Sequence, residues 1–193
     1  VPTPAPIGRT RKKKEIAMFN RGLKLFAVLA CGLVSIPSLA SAADTASGDL
    51  TGADGTSKGT VQVTAAPKGV LVRIQAKGLT PGWHGVHFHE KGNCATPKFT
   101  SAGGHVHAVT PVVHGLLNPE ANDAGDLPNL YVGPDGSATV ELYSTLVSLT
   151  SKGGHPPLLD ADGASLVIHA HSDDYQTQPI GGAGDRVACA VLH

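Results

Sequence analysis

Apolar and polar residues alternate with a period of two in short runs along most of this chain, and no segment sustains the 3.6-residue period of an amphipathic helix. GTVQVTAA (59–66) and GVLVRIQAKGL (69–79) flank Pro67-Lys68 and read as a hairpin. SATVELYSTLVSL (137–149) follows the turn GPDG, and ASLVIHAH (164–171) and RVACAVL (186–192) complete the set from Leu50 onward. Short strands separated by Gly and Pro turns predict an all-β sandwich or barrel. Two stretches break the rhythm, 90–136 and HSDDYQTQPIGGAGD at 171–185, and both leave strands rich in histidine. A compact domain keeps long irregular loops mainly where they serve function.

The chain has 193 residues, which suggests one domain plus an additional piece. That piece is at the front. Residues 18–42 carry Arg21 and Lys24, then an apolar run, then the small-residue site Ala40-Ser41-Ala42, the pattern of a cleavable export signal. The apolar run is shorter than the ~20 residues of a membrane span, so cleavage after Ala42 is expected, with no stable membrane contact. Lipidation at Cys31 ranks second, because it would leave the apolar GLVSI just after the modified residue. Residues 1–17 are read as a non-native upstream extension in preference to a basic targeting patch, and 43–193 as the folded domain.

Removing 1–42 takes away seven basic residues and one acidic residue. The full chain balances 15 against 15, so eight basic and fourteen acidic residues remain, about −6 with neutral histidines. An acidic domain argues against nucleic acid or an anionic membrane surface as partner. Two cysteines also remain, Cys94 and Cys189. In an oxidising compartment a lone pair most simply forms one disulfide, with two separate buried thiols as the alternative.

GWHGVHFHE (82–90) places three histidines within six residues. Side chains alternate along a strand, so His87 and His89 share one face while Val86 and Phe88 take the other. Two imidazoles about 7 Å apart along a strand can converge on one metal ion. His84 has the opposite parity and is expected to bond to backbone. His105, His114 and Asp126 follow at intervals of nine to twelve residues, and His169 ends an apolar strand. Any one of these histidines alone reads as a satisfied core group; gathered in an exported chain with carboxylates, they suit zinc or copper.

HGVHFHEKGNC (84–94), SAGGH (101–105), the His-Gly at 114, GDLPNLYV (125–132), LVIH (166–169) and GGAGDRVACAVL (181–192) stand in an order and spacing that resemble the copper/zinc superoxide dismutases, particularly the secreted bacterial type. The resemblance covers roughly 48–192. It implies a Greek-key β-barrel of about eight antiparallel strands with long metal-binding and electrostatic loops. It implies copper at His87, His89 and His169, and His105 as the imidazolate shared by copper and zinc. It implies zinc at His114 and Asp126, an intrasubunit disulfide Cys94–Cys189, Arg186 as the anion guide, and Asp173 as the carboxylate linking one copper histidine to one zinc histidine. The chain departs from the family once: a zinc histidine is usual three residues before Asp126, and Asp123 stands there. Asp123 can ligate zinc through oxygen, and His107 is a second candidate for the position.

The implied activity is disproportionation of superoxide anion by a catalytic pair of Arg186 and His105, in the periplasm or outside the cell. The alternative from another class is a non-catalytic periplasmic copper/zinc binding module, which would have no use for an anion-guiding arginine. Arg186 could instead cap a strand through Asp185. The family occurs as monomers and dimers, so a homodimer stays open.

Overall fold

The computed structural model describes residues 44–193; the expected leader, the upstream extension and Cys31 lie outside them. Nine strands run through the described residues: β1 (Thr45–Gly52), β2 (Ser57–Ala66), β3 (Gly69–Ala76), β4 (Gly82–His84), β5 (Val86–His89), β6 (Leu130–Val132), β7 (Ala138–Ser144), β8 (Ser165–His169) and β9 (Arg186–Val191). Seven form one curled antiparallel sheet in the order β5-β8-β9-β1-β2-β3-β7, and β4 pairs with β6. In the run β9-β1-β2-β3, three successive strands are joined by a fourth returning beside the first, the Greek-key pattern.

The β2–β3 hairpin closes where the sequence placed it, with Ala66 opposite Gly69. Its inward positions Val61, Val63, Val70, Val72 and Ile74 are fully or almost fully buried, and each such side chain contributes about 1.5–3 kcal/mol. Three local readings differ from the structure. β1 begins at Thr45, ahead of the expected start at Leu50, because the inward residues before Leu50, Ala46 and Gly48, carry little apolar bulk. Gly48 must be small, since a Cβ there would meet the Val191 carbonyl oxygen. The run 137–149 is a strand only to Ser144; its tail, with buried Val147 and Leu149, instead pairs with 156–159 through Ser148 and Leu149. Finally, GWHGVHFHE is two strands in two sheets, separated at Gly85, whose N–H and carbonyl bond His171 and His169.

β5 and β8 are buried at every position. One face packs into the core through Val86, Phe88, Leu166 and Ile168. The other is roofed by the loops at 103–126 and 171–186. The disulfide Cys94–Cys189 joins the segment just after β5 to β9 across 95 residues, which settles the choice between a bridge and two thiols. On the chain-entropy account a loop of that length adds about 4–5 kcal/mol.

Candidate metal centre

β5 has β8 along one edge and the long loop along the other. Phe88 N–H bonds the Gly125 carbonyl and Val106 N–H the Phe88 carbonyl, and isolated bridges join His89 to His105 and His87 to Asp126. Backbone pairing therefore carries His105 and Asp126 to the face where His87, His89 and His169 already stand. Ligand atoms of His87, His89, His105 and His169 all lie within 4.8 Å of one another, and all four residues are buried.

Hydrogen bonds aim these rings inward. His89 Nδ1–H donates to the Gly103 carbonyl at 3.0 Å and His169 Nδ1–H to the Gly184 carbonyl at 3.0 Å. His87 Nε2–H donates to Asp173 Oδ2 at 2.9 Å. The opposite nitrogens, His87 Nδ1, His89 Nε2, His169 Nε2 and His105 Nε2, are buried without a hydrogen-bond partner. Buried polar atoms are seldom left so, and four lone pairs sharing one space fit a soft nitrogen-loving cation.

On its other side His105 Nδ1 lies 2.7 Å from Asp123 Oδ2 and 3.6 Å from Asp126 Oδ1. His114 Nδ1 lies 3.5 Å and 2.7 Å from the same two oxygens. A tetrahedral zinc site with bonds of about 2.0–2.1 Å has ligand edges of about 3.3 Å, so these four atoms bracket such a site. His87 also comes within 4.8 Å of this group, but its Nε2 is committed to Asp173 and its Nδ1 lies with the first cluster, while Asp123 Oδ2 stands within 3.5 Å of both His105 Nδ1 and His114 Nδ1 at the fourth corner of this side. His107 joins neither cluster: its Nδ1–H turns back to the His105 carbonyl at 2.8 Å, and its ring leans toward Glu90.

Asp173 spans the two pockets, with Oδ2 on His87 and Oδ1 3.0 Å from His114 Nε2. Gly181 makes room for it, because at its φ of +61° a Cβ would collide with Asp173 Oδ1. Arg186 donates from Nη1 to the Phe99 carbonyl at 2.6 Å and from Nη2 to the Gly103 carbonyl at 2.7 Å. The Gly103 oxygen thus holds both His89 and Arg186. No ion pair of Arg186 with Asp185 occurs among the described residues, so the strand-capping role does not hold. Arg186 lines an open cleft of about 470 Å³ with Lys98 and Thr100.

The two pockets differ in proton affinity. Burial, followed by the charges of His105 and Arg186, depresses His89 to about 2, and burial followed by His87 depresses His169 to about 3. His87 is also lowered, chiefly by burial. At His114 burial opposes protonation too, but the carboxylates of Asp123, Asp126 and Asp173 overcome it and push the ring up to about 11. His105 is raised for the same reason by Asp123 and Asp126. Burial raises Asp123 and Asp126, but the two imidazoles prevail and hold both below the ordinary carboxylate range.

The structure thus brings together all the sequence-predicted ligands, with Asp173 and Arg186 beside them, and His84 bonds only backbone, to the carbonyls of His169 and Thr80. Sequence reasoning passed over Gly103, whose backbone oxygen does the work, and over Asn129 and Gln178, which carry no motif signal.

A Greek-key β-sheet whose loops enclose an all-histidine pocket and a mixed histidine–carboxylate pocket sharing one ring defines a β-protein with two adjoining groups of side chains that could each hold a metal ion. The family model for copper/zinc superoxide dismutase (SODC) matches residues 57–192. A superoxide dismutase [Cu-Zn] of Caulobacter vibrioides is 64% identical over 139 residues, covering 72% of this chain and 80% of the relative. Among solved structures, a SOD-like protein from Bacillus subtilis superposes with a TM-score of 0.70 at 36% identity, covering 76% of this chain and 97% of that one. The Cu/Zn superoxide dismutase from Brucella abortus gives 0.62 at 28% identity, covering 78% and 100%. The chain belongs to the copper/zinc superoxide dismutase family, and the alternative of a non-catalytic binding module is not favoured.

Proposed function

We propose that this chain is a superoxide dismutase, converting two superoxide anions and two protons into molecular oxygen and hydrogen peroxide. In this reading copper is held by His87, His89, His105 and His169, and zinc by His105, His114, Asp123 and Asp126. One observation carries the ligand assignment. Of seven buried side-chain polar atoms without a hydrogen-bond partner among the described residues, six belong to these two groups.

Copper, when bound, supplies one-electron chemistry in both directions, which zinc lacks. The chain supplies the rest. His105 faces one pocket with Nε2 and the other with Nδ1. His114, Asp123 and Asp126, as companion ligands on the Nδ1 side, would keep the ring in place, so Nε2 can take up and give back a proton without the ring swinging away. That proton goes to the reduced oxygen species, and the second comes from solvent. Asp173 fixes His87 and His114 in their tautomers, as partners behind metal-binding rings commonly do.

Arg186 meets the charge problem. The described domain carries fourteen acidic against eight basic residues, yet its substrate is an anion. Two carbonyls anchor the guanidinium without neutralising it, so it keeps a positive field at the cleft, and such focusing raises association rates by about 10 to 1000-fold.

We also propose that residues 18–42 direct export to the periplasm or beyond and that the mature domain begins near Ala43; the disulfide supports an oxidising compartment. Mass analysis of the exported product checks this. The test of the function is metal content with superoxide consumption, on protein expressed from Ala43 and reconstituted with copper, with and without zinc. Fast consumption with copper bound is expected; tight copper binding without consumption would move the chain to a binding role.

A further inference from the structure

The His114–Asp173 contact joins two loops that the barrel itself does not hold together. His114 belongs to the loop between β5 and β6, and Asp173 to the loop between β8 and β9. Each residue is gripped at its backbone by a carboxamide from the opposite loop segment. Gln178 Oε1 accepts the His114 N–H at 2.9 Å while its Nε2 donates to the His114 carbonyl at 2.8 Å. Asn129 Oδ1 accepts the Asp173 N–H at 2.9 Å while its Nδ2 donates to the Asp173 carbonyl at 2.8 Å. In both cases one amide side chain satisfies the donor and the acceptor of a single residue, as a paired strand would.

The grips are reciprocal. Gln178, five residues beyond Asp173, holds His114; Asn129, three residues beyond Asp126, holds Asp173. Between them Asp173 Oδ1 meets His114 Nε2. Further contacts tie the same segments: Asn129 N–H donates to the Tyr175 hydroxyl at 2.7 Å, and Leu117 N–H to the Tyr175 carbonyl at 3.1 Å. Gly115 permits this approach, because a Cβ there would meet the Tyr175 carbonyl oxygen. Asn118 also donates to the His114 carbonyl, at 3.2 Å, so the feature peculiar to Gln178 is acceptance of the His114 N–H together with that donation.

We propose that Asn129 and Gln178 are positioning residues, a reciprocal pair of carboxamide clamps that hold His114 against Asp173 and so lock the histidine–carboxylate pocket to the loop over the all-histidine pocket. The inference rests on the metal-centre reading above. Its physical basis is that a single hydrogen bond between two long loops fixes a distance but little else. Four further bonds to the two backbones fix the orientation of both partners as well. Without the clamps the loops separate more often, and His114 loses the carboxylate that orients its ring.

The test uses copper- and zinc-loaded protein and reads the rate of zinc release to excess chelator, together with hydrogen exchange over 171–185. Gln178→Ala and Asn129→Ala are each expected to speed zinc release about tenfold, the scale of partners that orient a ligand from behind, and to raise exchange in that loop. In an Asp173→Ala background, which leaves no acceptor for His114 Nε2–H, each is expected to add less than about twofold, since the contact they serve is gone. Gln178→Glu and Asn129→Asp keep size and acceptor but lose the donor, and should resemble the alanine variants. Gln178 is exposed, so its variants leave the barrel core untouched. Unchanged zinc release, wild-type behaviour of the acidic variants, or the same acceleration with and without the Asp173 carboxylate would each overturn the clamp proposal alone. A parent protein that takes up no zinc would overturn the metal-centre reading and the clamps with it.

Discussion

Around Nε2 of His105 stand three other imidazoles, all neutral and all aimed by hydrogen bonds that point outward from the cluster. Around Nδ1 of the same ring stand one imidazole and two carboxylates, which draw protons onto both histidines. The first pocket repels positive charge unless a cation is bound through lone pairs. The second demands positive charge, and protons meet that demand when no metal does. One ring therefore separates a site of nitrogen donors alone from a site that carries two carboxylates, a contrast that would favour different metal ions on its two sides.

Removing a lone pair from the first pocket should have the largest effect. His169→Ala is expected to lower superoxide consumption by more than about 100-fold, beyond the range for partners behind the ligands, while zinc uptake and the far-ultraviolet β signal persist. Retained activity in this variant would break the assignment of copper to the all-histidine side.

The second pocket is probed by Asp123→Asn and Asp126→Asn. Each should weaken zinc binding by roughly 10 to 100-fold and leave copper affinity within about threefold. If Asp123→Asn binds zinc as the parent does, the fourth corner belongs to another group. Smaller still is the loss from Arg186→Gln, about tenfold in association rate at low salt, shrinking as ionic strength rises. An effect indifferent to salt would assign Arg186 to holding Gly103 rather than to drawing the anion.

The subtlest contrast is in protons. Zinc entering the second pocket near pH 7 should release protons from His105 and His114, and copper entering the first should release none from His87, His89 or His169, read from calorimetry in buffers of different ionisation enthalpy. Stability of the metal-free protein carries the matching signs. His89 and His169 titrate at about 2 and 3 when folded, against 6.5 otherwise, so the unfolded chain binds their protons first and stability falls as pH drops below about 6.5. The raised His114 works oppositely: its contribution is full below 6.5 and is lost as pH rises toward about 11. Melting temperatures across that range check both.

Much of the centre was legible because strands make local pattern into geometry. The i, i+2 spacing of His87 and His89 already placed them on one face, and the resemblance extended that to His105, His114, Asp126 and His169. The hairpin at Pro67-Lys68 was equally plain. β1 was not, because Ala46 and Gly48 carry too little hydrophobic signal to mark an inward face. The split at Gly85 was hidden as well, since alternation continues across it while the hydrogen bonds change sheets.

The sequence by itself determined the all-β class and the inventory of ligands, because both rest on residue type and on a spacing shorter than a strand. Only the tertiary structure decided which nitrogen of each ring is free, that Asp123 rather than His107 stands with the second pocket, and that Asn129 and Gln178 bind the loops around Asp173. Those outcomes depend on backbone carbonyls and amides brought together from up to 64 residues apart, as between Gln178 and His114. Every residue carries the same backbone groups, so no pattern of side chains along the chain could announce them.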